Sequence, residues 1–210
     1  MMTPEEIEAH FTRADGSFLI ARWGRPIVPV VFGVQEETLA VLKGAFEAVV
    51  LLAGHRMAET DPELGANLMV FFCRDWAELL DVPGLDRMAP DLGPLVGRLA
   101  AADANQYRVF RFDEAGAIRA AFVFLRMDDH LAQVSSETLA LVQAVQTVLV
   151  WSDRAFMDRG ALVQGKAGDA MLRPDLAALI RAAYDPVLPA CARDPAHALR
   201  LAARMAPSVH

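Results

Sequence analysis

The chain has 210 residues, 54% hydrophobic and 22% charged, which is enough for a well-filled core, since a fold of this size buries about 70% of its extended surface. Its 20 Lys and Arg are scattered against 27 acids, for a formal net charge of −7. That distribution lacks the basic stripe a phosphate backbone requires, so no nucleic-acid partner is expected.

Met1–Phe18 has no basic start followed by an apolar run, so no secretory leader is read there. No apolar stretch reaches the roughly 18 to 20 residues that span a bilayer. A soluble, cytoplasmic protein is therefore expected, with no membrane span. Two cysteines, Cys73 and Cys191, make no disulfide framework and are read as free structural thiols.

In chain order, Thr3 caps a helix from Pro4 to Phe11 with acids in its first turn, and Asp15-Gly16 is a turn. Residues 1–17 read as a helical arm and 18–210 as one domain. Phe18–Ala21 suits a short strand. Ile27–Phe32 suits a second, which Pro29 places at an edge or bulge because proline lacks a ladder donor. After Gly33, Leu39, Leu42, Phe46, Val49 and Val50 recur at helical spacing, and Gly54 closes that helix in the left-handed region. Asn67–Cys73 is an unbroken apolar run, expected as a central strand buried on both faces.

Asp75–Leu80 suits one or two helical turns. Pro83–Pro94, with three prolines and two glycines, is expected to be largely irregular, and Pro94–Ala104 to be helical. Tyr107–Phe112 and Ala117–Met127 flank Asp113-Glu114-Ala115-Gly116, a hairpin pattern with glycine at the left-handed position. Ser135 or Ser136 caps the most apolar helix, which is expected to run through Val150 or Trp151. A looser Ser152–Asp169 segment follows. Helices over Leu172–Tyr184 and Pro195–Met205 then complete an α+β fold, a mixed sheet of about four to five strands packed on several helices.

Common catalytic signatures are missing: no phosphate loop, no dinucleotide glycine fingerprint and no serine elbow. The five histidines, at 10, 55, 130, 197 and 210, are isolated, and no metal site or cofactor is expected. Three features remain as binding candidates. His130 lies between the hairpin and the apolar helix. Gln143 and Gln146, with Thr147, fall at i, i+3 and i+4 and form a polar stripe on that helix, either facing water or a cleft or hydrogen-bonded inside the core. Trp151 and Asp153 stand at the helix exit, where an aromatic and an acid can shape a pocket.

Three stretches carry a resemblance. Arg22-Trp23-Gly24-Arg25-Pro26-Ile27-Val28 is similar to the Arg/Lys-Trp-x-x-Pro-Ile/Val strand of an uncharacterised family of bacterial zincin-like domains. Glu137–Asp153 resembles that family's apolar helix, which has a Glu-Glu-x-x-Gln core. Leu172-Arg173-Pro174-Asp175 through Tyr184-Asp185-Pro186-Val187-Leu188 looks like its closing Leu-Tyr-Asp-Pro motif.

The resemblance implies a zincin-like fold with the apolar helix in the position of an active-site helix. Aligning Gln143 with the family's Gln places Leu139 and Ala140 where it has glutamates. Without metal ligands or a water-activating Glu, zincin hydrolysis is not available. The expectation is a pseudoenzyme that binds a protein or peptide along a sheet edge. Two alternatives stay open: a hydrolase with a non-standard site formed around His130, Gln143 and Asp153, and a structural subunit.

Overall fold

The computed structural model describes residues 2–89, 91–166 and 168–206; Pro90, within the stretch expected to be irregular, and His210 lie outside them. Thr3 opens α1 (Pro4–Phe11) through a reciprocal capping box with Glu6, which answers two of the amide groups that a helix start leaves unpaired. Ile7 and Phe11 of α1 are fully buried in the same core as the main body.

β1 (Ile20–Ala21) does not join the main sheet but pairs with a strand near the C-terminus. β2 (Pro29–Phe32) is an edge strand of the main sheet, consistent with its proline. Gly33 then turns at φ 82°, and a Cβ there would stand 2.2 Å from the Phe72 carbonyl oxygen, so only glycine fits. α2 (Glu36–Leu52) follows, and Gly54 at φ 67° closes it as expected. β3 (Leu68–Cys73) lies inside the sheet, between β2 and a later strand.

A 3-10 helix, Trp76–Asp81, is opened by an Asp75–Glu78 capping box. The proline-rich stretch is less irregular than its composition suggests. It contains α3 (Leu85–Met88), and α4 (Leu92–Ala101) begins before Pro94, which is accommodated in the first turn because the amide it lacks would be unpaired there anyway. β4 (Gln106–Phe112) and β5 (Ile118–Arg126) form the expected antiparallel hairpin, with Gly116 at φ 80°.

α5 (Ser136–Val148) is capped by Ser135, whose hydroxyl accepts from the Thr138 amide. It ends earlier than its apolar sequence predicts. Leu149 is extended and bridges Arg22, while the Val150 amide donates to the Ala21 carbonyl, so tertiary bonds take the backbone away from the helix. The segment expected to be loose carries β6 (Leu162–Gln164), which forms a small hairpin with β7 (Ala170–Leu172) just beyond it, so Leu172 ends a strand where a helix was expected to begin. α6 (Pro174–Ala183), β8 (Cys191–Ala192, the partner of β1) and α7 (His197–Met205) complete the chain.

The main sheet has the order β2-β3-β5-β4, with β2, β3 and β5 parallel and β4 antiparallel at the edge. The fold is therefore α+β around a mixed four-stranded sheet. Alternation divides it into two faces. Leu68, Val70, Ala121, Val123 and Leu125 belong to the larger core, with residues of α2, α5 and α6. Phe71, Cys73, Phe122 and Phe124 meet Trp76, Leu85 and α4 on the other side. Among the described residues, no helix is long and apolar enough to cross a membrane.

Candidate functional site

The end of α5 is held from three points, one just past the helix and two distant in the chain. A helix leaves its last four carbonyls without intrahelical partners. Here Trp151 Nε1 donates to the Val145 carbonyl at 2.8 Å, Trp23 Nε1 to Thr147 at 2.9 Å, and the Tyr184 hydroxyl to Val148 at 2.7 Å. Tyr184 also accepts from the Trp23 amide at 3.3 Å, and burial pushes its phenol well above the usual range. The Arg-Trp and Tyr-Asp-Pro stretches thus share a structural task, which is fixing the exit of α5.

Beside that exit, α5 and β4 form the walls of an open groove of about 710 Å³, within the range of ligand sites. β4 contributes Gln106, Tyr107, Arg108 and Phe110; the α5 side contributes Gln146, Val150 and Trp151; Arg13, Asp153 and Phe156 stand around them. Gln106, Arg108 and Phe110 are two apart and point to the α5 face, whereas Val109 packs into the opposite core.

The polar stripe lies along this wall. Gln143 is fully buried; its Oε1 accepts from Arg108, and its Nε2 donates to Gln106 Oε1 at 3.2 Å. Arg108 also donates to Gln106 Oε1, at 3.2 Å. Thr147 is satisfied by the Gln143 carbonyl at 2.7 Å. The stripe is therefore partly sealed and partly open: Gln143 and Thr147 are buried, while Gln146 reaches the groove.

Arg108 is the residue that sequence reasoning missed. Among the described residues no carboxylate pairs with it, and burial pushes its guanidinium down to about 10, so it still carries its charge at neutral pH. Its Nε is sealed without a partner among the described residues, as is Gln146 Oε1. Such orphans are uncommon in folded proteins, and each costs about 1–3 kcal/mol. Other arginines have a sealed Nε, but Arg119 and Arg126 answer acids, and Arg22 bonds the Leu188 carbonyl and lies over the Tyr184 ring.

Of the sequence candidates, Gln146, Trp151 and Asp153 line the groove, and Gln143 supports it from below. Trp151 is stacked on Phe11 at 5.2 Å and edge-on to Phe156 at 5.1 Å, which makes it a rigid wall. Asp153 is exposed, and its Oδ1 accepts from the Ala14 amide at 3.1 Å; it ties down the turn after α1. His130 is exposed on the turn before α5 and is not part of the groove. The 13 residues of α5, about 20 Å of helix, separate that turn from the exit that carries Asp153. The trio His130, Gln143 and Asp153 is not brought together.

Leu139 and Ala140 are both buried and offer no lone pair. Among the described residues, no group of three or more His, Cys, Asp or Glu side chains is arranged to hold a metal ion.

No protein-family model, curated protein or solved structure matches the chain.

Proposed function

We propose that this chain is a non-catalytic, zincin-like domain that binds an extended segment of a protein or peptide along the outer edge of β4. The observation that carries the reading is the free edge beside the groove. The Arg126 amide donates to the Asn105 carbonyl, which fixes the alternation of the β4–β5 ladder. Tyr107, Val109 and Arg111 then bond inward to β5, while the backbone groups of Gln106, Arg108 and Phe110 point outward. Among the described residues no strand or loop takes up that outer side.

An extended chain could use all three outward positions while its alternate side chains entered the groove. The commitment of Gln143 to Arg108 and Gln106, together with Leu139 and Ala140 on the same helix, supports binding without hydrolysis. The zincin-like character rests on the sequence resemblance. Free Cys73 and Cys191 support a reducing, cytoplasmic setting.

The test is amide hydrogen exchange of the full chain with and without a pool of extended octapeptides, with the peptides then followed by mass spectrometry. Slowed exchange at Gln106, Arg108 and Phe110, with intact peptides, is the expected result. Protection located elsewhere, or time-dependent cleavage, would refute the reading.

A further inference from the structure

Among the described residues, Arg108 is a cation set into the wall of a groove that Arg13 and Asp153 also line, with neutral amide oxygens as its hydrogen-bond partners and no acid paired with it. Its Nε is sealed beyond a ligand's reach, so an incoming acceptor would meet the terminal nitrogens, for which a carboxylate is the matching anion. The net charge of −7 opposes the approach of a polyanion, so the fitting anion is a single charge recognised at close range.

Position in the strand specifies how that charge is carried. Arg108 is the third residue of β4, with outward-facing backbone both before it at Gln106 and after it at Phe110. A strand paired there would continue past Arg108 in both directions, which favours an internal acidic side chain over a chain terminus. The residue opposite Arg108 would point to the same face, into the groove, and the residue two along would meet the half-buried ring of Phe110.

We propose that Arg108 anchors an Asp or Glu side chain of an extended peptide, with an apolar side chain two residues from that acid seated against Phe110. The inference rests on the edge-binding reading and adds to it a ligand chemistry and a spacing.

The experiment is selection of a displayed random octapeptide library on the full chain, followed by fluorescence anisotropy with a selected peptide. Expected are peptides with an acidic and an apolar residue two apart. Replacing the acid by its amide should weaken binding by roughly tenfold or more. That difference should disappear against Arg108→Met, whose fold is checked by circular dichroism. The peptide-side substitution needs no protein variant, so it decides the matter even if Arg108→Met does not fold.

Selected peptides indifferent to the acid would overturn the anchor while leaving edge binding in place. Failure to enrich any peptide would remove both. Inorganic phosphate binding as tightly as the selected peptide would overturn the inference in favour of a small-anion site.

Discussion

Replacing Gln143 by Leu tests whether Arg108 is a buried charge held by a neutral partner. The substitution keeps the side chain's approximate volume but removes the Oε1 that accepts from Arg108 and the Nε2 that donates to Gln106. Arg108 keeps the Gln106 oxygen but loses its shorter bond, and a buried charged donor deprived of an acceptor costs about 1–3 kcal/mol, so Gln143→Leu should lower unfolding stability by about 2 kcal/mol.

Arg108→Met acts in two opposite directions. Burial pushes the guanidinium down from its ordinary value to about 10, which corresponds to a cost on the order of 3 kcal/mol for the charged form; the substitution removes that cost. It also leaves the Gln143 amide oxygen without its donor, while Gln106 Oε1 keeps the bond from Gln143 Nε2. The two terms should cancel to within about 1 kcal/mol. The double variant removes the charge and its main acceptor together and should lie close to the wild type, giving a coupling of about 2 kcal/mol. Urea denaturation followed by tryptophan fluorescence provides the four stabilities, provided the slopes agree. Additivity to within about 0.5 kcal/mol would refute the reasoning, because it would mean that Gln143 does not hold the charge.

Tyr184→Phe removes the donor to the Val148 carbonyl and the acceptor of the Trp23 amide, and should lower stability by about 2 kcal/mol, measured by the same denaturation. For Asp61, burial opposes the charge, but hydrogen bonds from the Leu64 and Glu63 amides, Asn67 and Arg25 outweigh it and hold the carboxyl at about 2. Because the folded value lies below the unfolded one, its stabilisation is present above about pH 4 and is lost as pH falls through about 2; Asp61→Asn should flatten the acid limb of a stability profile. Burial raises the Cys73 thiol to about 11, so thiol reagents should label it at the rate of unfolding, and rapid native-state labelling would contradict its placement.

The order of elements was legible because each announced itself locally. Asn67–Cys73 has the length and composition of a two-faced buried strand, and Asp113–Gly116 has the chemistry of a hairpin turn. The early end of α5 was not legible. Leu149 and Val150 continue its apolar pattern without glycine or proline, and what ends the helix is the pairing of this segment with Ala21 and Arg22. The β6–β7 hairpin escaped for a related reason, since strands of three residues are too short for alternation to stand out among glycines.

At the site, the Gln143/Gln146 stripe and Trp151 were readable from helical spacing, but Arg108 was not. In Gln106-Tyr107-Arg108-Val109-Phe110-Arg111, arginines fall on both faces of the strand. Nothing local says which face α5 covers. His130 stood out only because it adjoins the helix in sequence, and adjacency at a helix start says little about a groove formed near its end.

The capping of α5 by Trp151, Trp23 and Tyr184 separates two kinds of response. The negative end of the helix dipole is met by neutral N–H and O–H groups instead of by a lysine or histidine. Indoles do not titrate, and the buried phenol is held protonated well past neutrality. The wall of the groove should therefore keep its position across changes of salt and near-neutral pH, while an ion pair made with a ligand at Arg108 would weaken as ionic strength rises. The capped helix end should respond little to ionic conditions, and a salt dependence of binding should arise at the residue proposed to recognise charge.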